Sequence, residues 1–230
     1  MNKKTLLITI KDTLPVLTGY LFLGAGFGIL LSESGYGIVW AFFMALFMYA
    51  GSGQYLAVTL LASQVSLIST ALATLLVNAR HLFYGISLVD SYKDAGKKKS
   101  YMIFALTDET YSLVTQNQPP EGMSRHQYCF FVSLFDHIYW IAGCVLGNIA
   151  GTTLPIDFSG VEFVLTALFV TMFVEQWLTH KNHRPAIIGV ASTVLCLLIF
   201  GSELFLIPSM ALIALLLTIS KKTARREENA

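Results

Sequence analysis

Three short stretches carry most of the polar chemistry of an otherwise apolar chain. The first is Gly51-Ser52-Gly53-Gln54, two glycines, a hydroxyl and an amide inside the run Met48 to Ala62. An interrupted helix frees backbone N–H groups at the start of its second half, and the peptide dipoles make that end positive. Such an end binds anions, and transporters aim it at substrate carboxylates near the membrane midplane. Gly51 and Gly53 would let a ligand reach the backbone, and Ser52 and Gln54 would add side-chain hydrogen bonds. Small residues serve equally to let helices touch, and Ala25-Gly26-Phe27-Gly28 reads that way. For 51–54 both readings stand, since the Gln54 amide is costly in lipid without a partner.

The second stretch is Val77 to Gly85, VNARHLFYG. At helical spacing Thr74, Asn78, His81, Tyr84 and Gly85 share one arc with Arg80 at its edge, while Leu72, Leu75, Leu82, Phe83 and Ile86 fill the opposite one. An arginine inside a span costs about 2.5–3.5 kcal/mol on insertion scales and is then usually paired or functional. Arg80 lies about 15 Å of helical rise from Asp90, a long reach for snorkelling. It suits an ion pair with Asp108 or Glu109, or a substrate carboxylate.

The third stretch is Leu106 to Leu113, LTDETYSL, with adjacent carboxylates at Asp108 and Glu109. Two neighbouring acids in a low dielectric do not both ionise cheaply, which suits a proton carrier and equally an ammonium site. The same residues also read as a helix start, Thr107 capping and the acids facing free N–H groups. Asp136-His137 is a further titratable pair; the neighbouring Tyr139 and Trp140 favour an interfacial belt with the pair facing headgroups. Glu175-Gln176 reads as interfacial.

The elements that must position these residues follow from composition. Of 230 residues 55% are hydrophobic and 13% charged, where a soluble domain carries about 25% charged. Mean hydropathy is +0.64. The expected class is therefore an all-α polytopic transmembrane bundle, one integral membrane domain over residues 1–230. Net charge of +1 says nothing about nucleic acid, and no basic-aromatic surface suggests it, so no nucleic-acid partner is expected. Lys3 and Lys4 precede too short an apolar run for a cleavable signal. Cys129, Cys144 and Cys196 have no metal-ligand or disulfide spacing and read as packing residues, so neither metal nor cofactor is expected.

Eight hydrophobic segments stand out: 13–31, 38–62, 67–89, 101–117, 127–149, 161–179, 185–200 and 204–220. Pro15, Pro185 and Pro208 fall near their starts, where a missing N–H costs little. If all eight cross, the loop with Lys93, Lys97, Lys98 and Lys99 falls outside and violates the positive-inside rule. The violation vanishes if 38–62 is broken or re-entrant, bent at Gly51–Gln54, and 101–117 likewise near Thr107–Glu109. Six segments then cross fully, and both termini are cytoplasmic. Non-helical backbone at membrane depth is tolerated where protein buries it or water reaches it.

AGSGQYLAVTLLA, TLLVNARHLFYGISL and FALTDETYSLV, with the later LPIDFSGVEFVLTALFV, resemble the AzlC family, the large subunit of bacterial branched-chain amino-acid exporters. The resemblance runs from about Leu14 to Lys181. It implies a multi-pass secondary exporter of the bacterial cytoplasmic (inner) membrane, a second small AzlD-like membrane subunit, branched-chain and related amino acids as substrates and coupling to the proton gradient. Ser52-Gly53-Gln54-Tyr55 departs from the family's SAQF, which makes that turn more flexible here.

Together these readings place a zwitterionic amino acid at mid-membrane. Gly51, Ser52, Gly53, Gln54, Asn78, Arg80 and Tyr84 are the expected substrate-binding residues. Asp108, Glu109 and His81 are the expected proton-coupling or ammonium-binding ones, with Asp136 and His137 behind them. Two other classes compete. Ala50-Gly51-Ser52-Gly53 approaches the nucleophile motif of a serine hydrolase, with His81 or His137 as base, but its first glycine is missing. A passive channel would favour rings of like charge, and the sequence shows none.

Overall fold

The computed structural model describes residues 3–63, 67–78, 80–154, 160, 163–179, 182–205, 208–209, 211–213 and 215–220. All regular structure among them is helical: α1 (Lys3–Glu33), α2 (Ile38–Phe47), α3 (Gly51–Ser63), α4 (Leu67–Asn78), α5 (Arg80–Leu88), α6 (Lys98–Phe104), α7 (Asp108–Gln116), α8 (Arg125–Thr153), α9 (Phe163–Thr179) and α10 (Arg184–Leu204). Among the described residues three helices are long and apolar enough to cross a membrane, at Thr5–Glu33, Arg125–Thr153 and Arg184–Gly201. The chain groups into two compact units, Met1–Thr166 and Ala167–Ala230.

The first unit is organised on α1 and α8, its most extensive helix pair. Helices in lipid gain no hydrophobic drive toward each other and associate by close packing of small residues. Gly24 and Gly28 of α1 lie against Gly143, Cys144, Gly147 and Asn148 of α8. A Cβ on Gly24 would fall 2.9 Å from the Cys144 backbone nitrogen, and one on Gly28 would overlap the Cys144 carbonyl. The packing role expected for Ala25–Gly28 therefore holds, Ala25 and Gly28 against α8 and Gly26 and Phe27 against Tyr55 of α3. Asn148 Nδ2 then reaches the carbonyls of Gly28 at 3.2 Å and Tyr36 at 2.9 Å.

The polarity pattern suits an apolar solvent. Thr9, Thr13, Gln54, Thr110, Ser133, Asp136 and Asn148 are fully buried, while Phe22, Trp40, Phe47 and Leu146 are exposed. All three cysteines are free and buried, as expected of packing residues.

Two expectations about α1 are corrected. The helix starts at Lys3 instead of residue 13, and Pro15 lies inside it. Lys11 and Asp12 thus do not bound the segment; Tyr128 Oη donates to Asp12 Oδ2 at 2.9 Å, and Thr13 meets the Tyr139 hydroxyl at 3.1 Å. Partners on α8 satisfy polar groups that a segment facing lipid would expel. Pro185 does stand at the first turn of α10.

Segment 38–62 is broken, at Met48–Ala50, just before the expected bend, so Gly51 opens α3. Segment 101–117 is broken at 105–107, between α6 and α7. In the second unit, α10 kinks at Gly201, where φ is +72°, a conformation that favours glycine.

Candidate functional site

Each break leaves backbone carbonyls and amides without helical partners, and side chains on one face of α8 reach residues at both breaks. Asp136, His137 and Trp140 are buried on it. The expectation that Asp136 and His137 face headgroups is overturned: Asp136 is 0% exposed and His137 4%. Their place on the α8 face between the two breaks is the reason.

His137 Nε2 lies 3.3 Å from the Ala45 carbonyl in the last turn of α2. A carbonyl only accepts, so Nε2 carries the hydrogen, and in the neutral ring Nδ1 accepts from the Tyr101 hydroxyl at 3.0 Å. The imidazole also stacks on Tyr49, ring centroids 4.2 Å apart. Tyr49 has φ +38°, unusual for a residue with a Cβ. Its burial against His137 and the edge of Tyr20 holds it there.

Trp140 serves the second half of the same break. Its Nε1 donates to Gln54 Oε1 at 2.7 Å, and its ring lies 3.1 Å from where a Gly51 Cβ would be. Gln54 is wholly buried, and its Nε2 has no hydrogen-bond partner.

At the α6–α7 break Thr107 is the N-cap of α7, its hydroxyl accepting from the Thr110 amide at 3.3 Å. Asp108 and Glu109 form the first turn, so the capping reading of these residues holds. They are engaged beyond it. Tyr20 Oη meets Glu109 Oε2 at 2.8 Å and Thr107 Oγ1 at 2.6 Å. Thr107 Oγ1 meets Thr110 Oγ1 at 3.0 Å, and Thr110 Oγ1 meets Asp136 Oδ2 at 2.7 Å.

A cavity of about 300 Å³ opens between the two breaks. Met48, Tyr49 and Ala50 line it from one, Ile103, Phe104 and Leu106 from the other, and Thr74, Asn78 and His81 from α4 and α5. The polar arc of VNARHLFYG thus contributes to the cavity wall, while Leu75 and Ile86 are exposed. Asn78 Nδ2 donates to the Thr74 carbonyl at 2.9 Å and also lies against Gly53. His81 Nδ1 lies 3.1 Å from the Asn78 carbonyl. Tyr84 stacks on Tyr111 with centroids 4.6 Å apart. The Arg80 side chain, and that of Glu175 and Gln176, lie outside the described residues. Of the expected site residues, Asn78 and His81 line this space; Gly51 to Gln54 form the helix start beside it, and Asp108 and Glu109 stand past Leu106.

A second, larger hollow in the other unit, about 590 Å³, is lined by Phe173, Val174, Trp177, Ile187 and Val190 among others. Its lining offers no polar group suited to a zwitterion beyond the Trp177 indole. For the hydrolase reading, both ring nitrogens of His137 are engaged by Tyr101 and Ala45.

Tyr20, Tyr49 and Thr110 carry no signal in the sequence reading, and Trp140, read there as part of an interfacial belt, is instead buried. The available signal was the spacing of Ser133, Asp136, His137, Trp140, Gly143 and Gly147, a polar and small-residue stripe on one helix face.

The family model described as AzlC protein matches residues 15–154, a span that holds all of these site residues. A Bacillus subtilis protein named branched-chain amino acid transport protein AzlC is 38% identical over 216 residues, 94% of this chain and 85% of that one. Membrane proteins without an assigned role are similar too: one from Haemophilus influenzae, 42% identical over 212 residues (92% and 87% covered), and one from Helicobacter pylori, 41% over 210 (91% and 92%). No solved structure matches the chain.

Proposed function

The chain belongs to the AzlC family of membrane transport proteins, and from that premise we propose that it is a proton-coupled exporter of branched-chain amino acids in the bacterial cytoplasmic membrane, working with a small AzlD-like subunit. The observation that carries the substrate site is the cavity between the two helix breaks. Its volume lies at the small end of ligand pockets. Met48, Ile103, Phe104 and Leu106 offer apolar surface to an aliphatic side chain, and Thr74, Asn78 and His81 offer hydrogen bonds to a zwitterion. In this reading the N-terminal turn of α3, Gly51 to Gln54, and Arg80 bind the carboxylate, and Asp108 or Glu109 binds the ammonium. Apolar walls discriminate by only about 1–3 kcal/mol per methylene, so leucine, isoleucine and valine share the site.

Helix lengths support the re-entrant threading. α6 has 7 residues and α7 has 9, about 10 and 14 Å at helical rise, too short to cross a core of about 30 Å. α2 and α3, with 10 and 13 residues, each reach about halfway. Segments 38–62 and 101–117 then dip in and return, and Lys93 to Lys99 stay cytoplasmic. A cysteine at Lys97 should react with an impermeant thiol reagent only from the cytoplasmic side, and one at Ser34 only from outside; external labelling at Lys97 selects eight spans.

The function is tested in vesicles carrying the purified chain and its co-expressed small subunit. An imposed pH gradient should drive leucine accumulation, with isoleucine and valine competing. Leucine movement no faster than in protein-free vesicles would overturn the reading.

A further inference from the structure

Glu109 and Asp136 are the ends of one continuous line of oxygens: Glu109 Oε2, Tyr20 Oη, Thr107 Oγ1, Thr110 Oγ1, Asp136 Oδ2. Successive separations are 2.8, 2.6, 3.0 and 2.7 Å. Tyr20, Thr107, Thr110 and Asp136 are all buried. The line joins three elements, α1 through Tyr20, the α6–α7 break through Thr107, and α8 through Asp136.

A count of hydrogens decides what this line holds. Four contacts at hydrogen-bond distance need four hydrogens, one between each pair of oxygens. The three hydroxyls supply three. With both carboxyls ionised, Tyr20 donates to Glu109 and Thr110 to Asp136, and Thr107 has a single hydrogen for its two neighbours. One close oxygen–oxygen contact is then left with no hydrogen, and the wholly buried Asp136 stands as an anion, a costly arrangement. One proton on either carboxyl completes the line.

We propose that Glu109 and Asp136 hold one proton between them, and that Tyr20, Thr107 and Thr110 pass it from one carboxyl to the other during transport. With the proton on Glu109, each oxygen donates toward Asp136. A shift along the line breaks the O–H bonds of Glu109, Tyr20, Thr107 and Thr110 and forms new ones on Tyr20, Thr107, Thr110 and Asp136 Oδ2. The proton ends on Asp136, the negative charge on Glu109, and every hydroxyl points the other way. No other reactant is needed. Among the described residues, the groups facing the line include Tyr49 and Trp140 on the Tyr20 ring, His137 on Tyr49, Tyr101 on His137, and Asp108 beside Glu109. The role in transport rests on the proton-coupled reading above; the shared proton does not.

The test uses the full chain with its small subunit and two readouts. Infrared difference spectra of the purified protein at neutral pH should show a protonated carboxyl band that shifts in both Asp136→Asn and Glu109→Gln. In Thr110→Val, which keeps the shape and removes the hydroxyl, Glu109→Gln should no longer move the Asp136 band. Leucine accumulation driven by a pH gradient should fall about tenfold or more in Thr110→Val and return in Thr110→Ser. Tyr20→Phe interrupts the same line elsewhere, so one misfolded variant does not decide the matter. Absence of the band, or accumulation at the wild-type rate in Tyr20→Phe and Thr110→Val alike, would overturn the relay. A wild-type protein without pH-driven accumulation would instead remove the coupling reading, and the infrared result would still decide the shared proton.

Discussion

Trp140 Nε1 donates to Gln54 Oε1 at 2.7 Å, joining the middle of α8 to the first turn after a break in another segment. Both side chains are buried. The contact satisfies the carbonyl half of an amide in a region built for lipid: Oε1 is turned to an indole, against a glycine that leaves room for the ring.

Trp140→Phe should therefore destabilise the protein by about 1–3 kcal/mol, because the buried Gln54 carbonyl loses its donor. Adding Gln54→Leu should recover part of that loss. Thermal unfolding in detergent measures the cycle; strictly additive effects would show that the pair carries no coupling.

The α1–α8 crossing should be intolerant of a single methyl group where backbones touch. Gly28→Ala is expected to cost at least about 1–3 kcal/mol, as overpacking does. Gly19→Ala, in the same helix with open space around it, serves as the control and should leave the melting temperature near wild type. Equal melting temperatures for the two variants would refute the crossing.

His137→Phe keeps a ring against Tyr49 but removes the hydrogen bond to the Ala45 carbonyl. Amide exchange across residues 45–50 should speed up by roughly tenfold, the equivalent of about one hydrogen bond. Hydrogen-exchange mass spectrometry reads this directly, and unchanged protection there would remove His137 as the cap of the break.

Ile103→Trp should fill the cavity between the breaks, and Asn78→Ala should strip a polar group from its wall. Both are expected to slow leucine transport about tenfold, consistent with the loss of one or two substrate contacts. Normal flux in both, at normal expression, would move the substrate site elsewhere.

Outside the spans, Tyr92 is buried with its hydroxyl unpaired, and burial pushes its ionisation above the ordinary phenol range. Tyr92→Phe should leave stability unchanged or raise it by about 1 kcal/mol, since an unsatisfied group is removed. A fall of that size in a thermal melt would reveal a partner for the hydroxyl.

Much of the architecture was readable along the chain because it follows from local chemistry. Apolar runs and missing charge announced a helical membrane protein, and the broken segments showed as Gly51 to Gln54 and Thr107 to Glu109 set in grease. Even Thr107 as a cap was visible, because a cap is a contact three residues long. The start of α1 was misplaced because Lys11, Asp12 and Pro15 look like a boundary until partners such as Tyr128 take up the polar groups from the far side of the bundle.

What the sequence determined by itself was the solvent, the helices and the family, all of them properties of neighbours in the chain or of motifs kept in order. What only the tertiary structure decided was which polar groups meet. Tyr20 lies 89 residues from Glu109 and Asp136 26 from Thr110, yet each pair is in hydrogen-bond contact. Hydrogen bonds act over about 3 Å, so a line of oxygens drawn from three elements exists only once those elements have packed. The same packing turned Asp136 and His137 from an expected surface pair into the buried support of two helix breaks.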